Sequence, residues 1–475
     1  MVTAANDSKY QELLSIVAPR TQDHVLRWWS ELDAADKEKL AGELKALPWE
    51  LIDELIPSHV LKKPVVVAPT NLEPATVMPV RPHVDQTELY RSGVAEGERL
   101  LRAGKVAAFT VAGGQGSRLG IDGPKGAVVV TPDGSRTLFQ LFAEMVVAAR
   151  RKYGAAVPWY IMTSPANHEE TQAFFVEHRW FGLLESDVRL FPQGMLPAFD
   201  FSGRLIMEEK GRLALAPDGH GGSLKALAKS GCLADMRSQG ISIISYFQVD
   251  NPLVKPFDRL FIGLHALTGS EMSTKVLPKA EDLERVGNLC MQDGKVKVIE
   301  YSDFPAEAAR AKNADGSRKF NAGNAAIHLF DVAFVERITA HALPFRRAEK
   351  AIPCIDEHGR PTKPDKTNGV KLETFVFDVL PLAKNPLLLE IDRGEEFSPV
   401  KNATGVDSLE TSKRDQNRRA CRWIELAGVK MPRGTDGDPA VTVTIAPTFA
   451  LDPEDVVAKK NNISNLKPGD RVVLA

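Results

Sequence analysis

The sequence predicts an α/β protein with a Rossmann-like, mixed but mostly parallel sheet. A helical segment precedes the sheet and a small β-rich domain follows it. Three observations carry this. From about residue 96 to 260, short apolar runs alternate with stretches of helical periodicity, as in a parallel sheet covered on both faces. No run approaches about eighteen uncharged apolar residues, so no membrane span is expected. The chain has 475 residues, enough for one large domain with appendages or for two to three domains.

In chain order, YQELLSIVAPRTQDHVLRWWSELDAADKEKLAGELKAL has apolar residues at helical spacing. It reads as short helices broken near Pro19 and Pro48. Trp28, Trp29, Leu26 and Leu32 call for burial, hence for a packed cap. Prolines 57, 64, 69, 74, 79 and 82 then exclude a long helix and leave an extended connector. Strands are expected at 106–114, 157–164, 188–193 and 241–251, and helices at 137–154, 168–182 and 223–240, the last closed by Gly240. The loops after Thr110, Ser164, Phe191 and Gln248 then share one rim, where ligands of such sheets sit. Past residue 260, EMSTKVL, GKVKVIEYS and AAIHLF read as strands of varied direction, and VTVTIAP and DRVVLA as strands of the last domain. The expected domains are 1–95, a helical cap with a Pro-rich connector; 96–405, the main α/β domain; and 406–475.

Basic and acidic residues number 60 and 62, for a net charge of −2. That balance gives no reason to expect a nucleic-acid or membrane partner. Four scattered cysteines, 232, 290, 354 and 421, match no zinc spacing and suggest reduced thiols in a cytoplasm. The start, MVTAANDSKYQELL, lacks a basic region followed by an apolar core, so no signal peptide is expected.

The segment richest in chemistry is VAAFTVAGGQGSRLGIDGPKGAVVV, 106–130. It fails the dinucleotide fingerprint, because the third glycine position is Leu119. It fails the P-loop, because Lys125 precedes Gly126. What remains is a strand ending in bare backbone, with Arg118 and Lys125 in reach. Backbone N–H groups without side chains approach a phosphate or a base edge closely, and the two cations supply charge for phosphate oxygens. A glycine-rich turn with surface charges is the plain alternative. Asp250 ends an apolar run, and a carboxylate at the rim suits magnesium (Mg2+), unless it only caps a turn.

GGQGSRLG followed by PKG resembles the signature G-G-x-G-T-R-L-G-x-x-x-P-K-G of sugar-nucleotide pyrophosphorylases, with Ser117 for the usual threonine. FPQGMLPAFD (191–200), APDGHGGSLKAL (216–227), YFQVDNPLVK (246–255), VIEYSDFP (298–305), FNAGNAAIHLF (320–330), NGVKLETFVFD (368–378) and EEFSPVKNA (395–403) follow in the order found in eukaryotic-type UDP-N-acetylhexosamine pyrophosphorylases. The resemblance spans about 100–405. It implies a nucleotidyltransferase core that joins UTP and a sugar 1-phosphate into a UDP-sugar and pyrophosphate, as a monomer or weak homodimer.

The resemblance also implies roles. Ala112, Gly113 and Gly114 would lie along the uracil and ribose, and Gln193 would bond the uracil edge. Gly219 would let backbone approach the base. Arg118 and Lys125 would hold the β and γ phosphates. Lys371 and Lys401 would contact the α-phosphate and the sugar phosphate, with Lys401 where the C-terminal domain meets the cleft. Gly287, Glu300, Tyr301 and Asn324 would form the sugar pocket, with His220 facing phosphate or sugar. Asp250 would be the main Mg2+ ligand. One departure stands out: PDGHGG carries His220 where the acetylhexosamine enzymes usually have asparagine, and UDP-glucose pyrophosphorylases have G-H-G there. UDP-N-acetylglucosamine is the expected product, with UDP-glucose or a broader UDP-sugar range as the alternative. A non-catalytic UDP-sugar-binding protein is the remote one, since it would be expected to lose Arg118, Lys125, Asp250 or Lys401. A glycosyltransferase would be expected to carry a D-x-D.

Overall fold

The computed structural model describes residues 7–63, 69–340 and 343–475. Pro64, with the connector segment 64–68 and the first six residues, lies outside them. The chain's internal contacts separate two units: 1–67, 193–223 and 343–378 in the first, and 68–192, 224–342 and 379–475 in the second.

The second unit is built on one large mixed sheet. Its order is Leu72–Pro74, Asn288–Gln292, Ala322–Asp331, Ile243–Gln248, Val106–Val111, Trp159–Thr163, Val188–Pro192. The last four strands are mutually parallel. The strands on the other side of Ile243–Gln248 pair antiparallel with their neighbours, except for the parallel pair Met272–Pro278 and Leu387–Glu390. The parallel strands are nearly all apolar because helices cover both faces. Val106–Phe109 and Trp159–Met162 are at most 1% exposed. The one polar atom of Trp159 is satisfied inside the sheet, its Nε1–H donating to Thr110 Oγ1 at 2.8 Å. Helix Leu138–Tyr153 starts on a Thr137 cap and stops at Gly154, with Arg150, Arg151 and Lys152 in its last turn. Phe142 of that helix packs on Phe247 of the sheet with ring centroids 5.1 Å apart.

Three expected elements change. The helix expected at 168–182 ends at Glu177. Arg179, Trp180 and Phe181 then turn left-handed, with φ of 51°, 54° and 53°, and fold Phe181 back onto His178 and Phe174. The helix expected at 223–240 is broken at Gly231, φ 80°, into Gly222–Lys229 and Cys232–Ser238. The boundary at residue 95 falls inside the helix Thr87–Arg102. That helix carries Gly93 and Gly97, where it meets Leu264 and the Arg259 carbonyl.

The segment 406–475 holds the two expected strands, Thr442–Ile445 and Arg471–Leu474, paired parallel. Its largest element is the 18-residue helix Leu409–Leu426. The segment clusters with the second unit, where Lys152 binds Asp452 and Asp455 at 3.0 and 2.8 Å and Gln416 donates to the Val130 carbonyl at 2.8 Å. Against the expected extended course, the connector opens on a helical turn, Ile56–Val60, with Pro57 in its first turn where proline is tolerated. Its Leu72–Pro74 forms an edge strand, where proline is tolerated.

The first unit has its own core. Leu13, Val17, Leu26, Trp29 and Leu40 pack with Leu196, Phe199, Leu205 and Val370. Its three-stranded sheet is Arg346–Lys350, Gly369–Glu373 and Phe199–Asp200, all antiparallel. Of the four N-terminal residues expected inside, Leu26 and Trp29 are buried, whereas Trp28 and Leu32 are half-buried. Among the described residues, no helix is long and apolar enough to cross a membrane.

Candidate active site

In the second unit, the glycine loop leaves the carboxyl end of Val106–Val111. Two anchors fix it. The Ala112 N–H donates to the Met162 carbonyl at 2.7 Å. Asn167, fully buried, donates through Nδ2 to the carbonyls of Ala112 and Gly114 at 3.1 and 3.2 Å. The Lys125 N–H then donates to the Gly114 carbonyl at 3.0 Å, folding Pro124–Gly126 back onto the loop.

Gly114 is exposed and its φ is not left-handed. A Cβ there would meet no protein atom nearer than Lys125 Cδ at 4.0 Å. Neither strain nor packing within the protein demands glycine at 114. Gly113, the residue before it, also keeps its φ out of the left-handed region. The bare strip leaves room for a ligand to lie against backbone.

Charge gathers beside that strip. Ile243–Gln248 lies next to Val106–Val111, with Gln248 opposite Val111, so Asp250 emerges beside the loop. Lys125 Nζ stands 3.4 Å from Asp250 Oδ2, with both side chains mostly enclosed. Arg118 is exposed in the Ser117–Leu119 turn and has no ion-pair or hydrogen-bond partner among the described residues. The Val400 N–H donates to the Asp250 carbonyl at 2.8 Å, which brings Lys401 alongside. Lys401 is about half exposed, with Nζ 3.8 Å from Asp407 Oδ2. Burial pushes the Asp407 carboxyl up; Lys401 pulls it down and the charge of Asp250 raises it further. The arrangement offers three cations, Lys125, Arg118 and Lys401, and an open backbone strip to a polyphosphate.

Among the described residues, no group of three or more His, Cys, Asp or Glu is placed to hold a metal ion. Asp250 offers hard carboxylate oxygens at the rim. That suits Mg2+, which binds through one or two carboxylates and takes other ligands from phosphate and water.

The antiparallel side of the sheet gathers a second set. A Cβ at Gly287 would stand 3.3 Å from Glu300 Oε1 and 3.7 Å from Asn324 Cβ. The Asn324 N–H donates to the Gly287 carbonyl at 2.8 Å, and Asn324 Oδ1 accepts from the Ala326 N–H at 3.0 Å. Ala326 has φ 55°, a strained value for a residue with a Cβ. Gly287 is thus flanked by a carboxylate acceptor and by an asparagine, side chains able to read hydroxyls. The Tyr301 ring, next in sequence, is 48% exposed.

The first unit holds Gln193, Gly219, His220 and Lys371. Gln193 is half-buried, directly after the Val188–Pro192 strand of the sequence. Gly219 has φ 84°, and a Cβ there would lie 2.3 Å from the Thr374 carbonyl oxygen, so only glycine fits. His220 stacks on Phe375 at 5.1 Å with 8° between the rings, and lies 5.5 Å from Phe377. Its Nδ1 accepts from the Val376 N–H at 3.2 Å, which leaves the proton on Nε2. Arg346 covers Phe375 and pairs with Asp378 at 2.8 Å. Burial, helped by the charge of Arg346, pulls His220 down to about 4. It is therefore a neutral donor at neutral pH. Lys371 is half-buried on the Gly369–Glu373 strand, opposite Ala348.

Asn167 went unread in the sequence. It precedes a helix in SPANHEE, a position that suggests an ordinary helix cap, and its side chain holds the glycine loop instead.

The family described as UTP–glucose-1-phosphate uridylyltransferase matches residues 67–414. The UDP-N-acetylhexosamine pyrophosphorylase-like protein 1 of Xenopus tropicalis is 38% identical over 457 residues, covering 90% of this chain and 89% of that protein. The UDP-N-acetylglucosamine pyrophosphorylase of Saccharomyces cerevisiae is 34% identical over 437 residues, 87% of this chain and 91% of that protein. Among solved structures, the uridine diphosphate N-acetylglucosamine pyrophosphorylase of Trypanosoma brucei, crystallised with an inhibitor, superimposes with a TM-score of 0.81 at 26% identity, covering 98% of each chain.

Proposed function

The chain belongs to the UTP–glucose-1-phosphate uridylyltransferase family, and from that premise we propose that it makes UDP-N-acetylglucosamine and pyrophosphate from UTP and N-acetylglucosamine 1-phosphate. The relatives' names support this sugar. The observation that carries the nucleotide site is Gly114, an exposed position where the protein itself does not need glycine.

The reaction asks for positioning and charge neutralisation more than for covalent chemistry. A phosphate oxygen of the sugar 1-phosphate bonds to the α-phosphorus of UTP. The bond from that phosphorus to the α–β bridging oxygen breaks, and pyrophosphate leaves. Lys125 and Arg118 neutralise the β and γ phosphates and then the leaving pyrophosphate. Lys401 neutralises the sugar phosphate beside the α-phosphate. Asp250 holds Lys125 in place through their ion pair, and its carboxylate would also hold Mg2+. When bound, that ion supplies further positive charge to the phosphate oxygens. Glu300 accepts from sugar hydroxyls and Asn324 donates to the ring. The remaining roles rest on motif: Gln193 and Gly219 for the base, Lys371 for the α-phosphate, and Tyr301 and His220 for the sugar. The Nε2–H of the neutral His220 imidazole fits a hydrogen bond to a hydroxyl or carbonyl. The same reading makes the protein cytoplasmic, in line with its free cysteines, and a monomer or weak homodimer.

His220 favours a second product, UDP-glucose, because it stands where the acetylhexosamine enzymes usually have asparagine. Pyrophosphate-driven reversal tests the class. With UDP-N-acetylglucosamine, pyrophosphate and Mg2+, the protein should form UTP. Formation from UDP-glucose alone would give the second reading. No UTP from either sugar nucleotide would remove the uridylyltransferase reading.

A further inference from the structure

We propose that Asn251 is a positioning residue that sets Lys401 against the glycine loop and Asp250. The inference rests on Lys401 acting in the transfer.

Asn251 follows Asp250 at the rim and is 5% exposed. Its side chain is spent on backbone, two of its three hydrogen bonds reaching residues distant in sequence. Nδ2 donates to the Glu396 carbonyl at 2.7 Å, and Oδ1 accepts from the Ser398 N–H at 3.1 Å and the Leu253 N–H at 3.3 Å. The Asp250 carbonyl accepts from the Val400 N–H at 2.8 Å. The strap 396–400 is thus laced to the end of Ile243–Gln248 at three points, and the next residue is Lys401. A Lys401 side chain about half exposed does not place itself; the backbone beneath it does.

The far side of the strap is held as well. Ser398 Oγ donates to Asp415 Oδ2 at 2.8 Å, and Ser412 Oγ donates to the Ser398 carbonyl at 2.9 Å, both from helix Leu409–Leu426. Glu396 begins the strap, and its carboxylate pairs with the fully buried Lys275, which also binds Asp258 at 2.6 Å. With its start clamped and its middle pinned between Asn251 and Ser412, the strap sets where the Lys401 ammonium can reach. Asp250 and Lys401 serve opposite charges in the transfer. One asparagine between them holds both to the same strand end, so it controls the distance between the Asp250 carboxylate and the Lys401 ammonium.

The test is a cycle of Asn251→Ala and Lys401→Ala, singly and together, with turnover and the KM for UTP measured per folded protein. A misplaced group costs on the order of 100-fold in rate. Asn251→Ala should lower kcat by about that factor and leave the KM for UTP within about threefold, because the glycine loop is untouched. Adding it to Lys401→Ala should cost less than about twofold more, since the lysine it places is already gone. A residue that merely supports the fold would give effects that multiply, and that result overturns the inference. So does normal kcat in Asn251→Ala. If Lys401→Ala turns over at the wild-type rate, the role of Lys401 fails first and takes this inference with it. Should Asn251→Ala not fold, Ser412→Ala loosens the same strap from the helix side. It should show about a tenfold loss of kcat that vanishes on the Lys401→Ala background. Unchanged kcat there counts against the proposal.

Discussion

Replacing His220 by asparagine removes a titrating group that the first unit keeps neutral. The variant retains an oxygen able to accept from the Val376 N–H, but loses the ring that stacks on Phe375. That stack is worth about 1 kcal/mol, so the variant should be the less stable protein at pH 7.5. The order should change in acid. Burial holds the His220 imidazole at about 4, against 6.5 for the free group. The unfolded chain therefore binds a proton that the folded chain refuses. Native stability from this group is complete above pH 6.5 and is lost as pH falls towards 4. At about 1.4 kcal/mol per pH unit, the loss approaches about 3 kcal/mol. Asp378 and Arg346 face the same cluster and are present in both proteins, so the comparison isolates the imidazole. Urea unfolding of both proteins at half-unit steps from pH 7.5 to 4.5 measures it. The two stabilities should converge below pH 6.5 and then cross. Curves that stay parallel throughout would show that His220 takes up its proton freely, and the buried neutral donor would be wrong.

Four further outcomes follow from the same geometry. Lys125→Ala should cut turnover by about 100-fold or more while the unfolding transition stays in place, and near-normal turnover would take it out of the site. Asp250→Asn should raise the Mg2+ concentration needed for half-maximal rate sharply; an unchanged Mg2+ titration would deny it the ligand role. Gly114→Ala should fold with wild-type stability yet raise the KM for UTP by about tenfold or more, since the added methyl meets no protein atom nearer than Lys125 Cδ at 4.0 Å and would stand where the proposed ligand lies. A wild-type KM would leave the bare strip without a purpose. Lys275→Met leaves Asp258 and Glu396 buried without their cation and should destabilise the protein by about 3–5 kcal/mol in urea unfolding.

The parallel half of the sheet was legible because buried strands and amphipathic helices alternate cleanly over 106–251. Local punctuation was harder. Trp180 and Phe181 look helical by hydrophobicity, yet aromatic stacking holds them left-handed. Gly231 broke a helix that periodicity alone carried through. Thr87–Arg102 was hidden by its charges and by glycines that serve its packing. Leu409–Leu426 was hidden by its run of charged residues, with Ala420, Cys421, Trp423 and Ile424 making a narrow buried stripe. In the site, the glycine loop, Lys125 and Asp250 showed themselves through spacing. Asn167 and Asn251 did not, because their hydrogen bonds close over 55 and 145 residues of chain. No local pattern marks an asparagine that holds distant backbone.

The central claim is uridylyl transfer to an acetylated sugar. The measurement that tests it most directly is pyrophosphate release from UTP and Mg2+, with N-acetylglucosamine 1-phosphate, N-acetylgalactosamine 1-phosphate and glucose 1-phosphate supplied in parallel. The account predicts release with the acetylated sugar phosphates, fastest with N-acetylglucosamine 1-phosphate. Release with glucose 1-phosphate alone would contradict the assigned sugar and make His220 the better guide to specificity. No release with any of the three would contradict the claim itself.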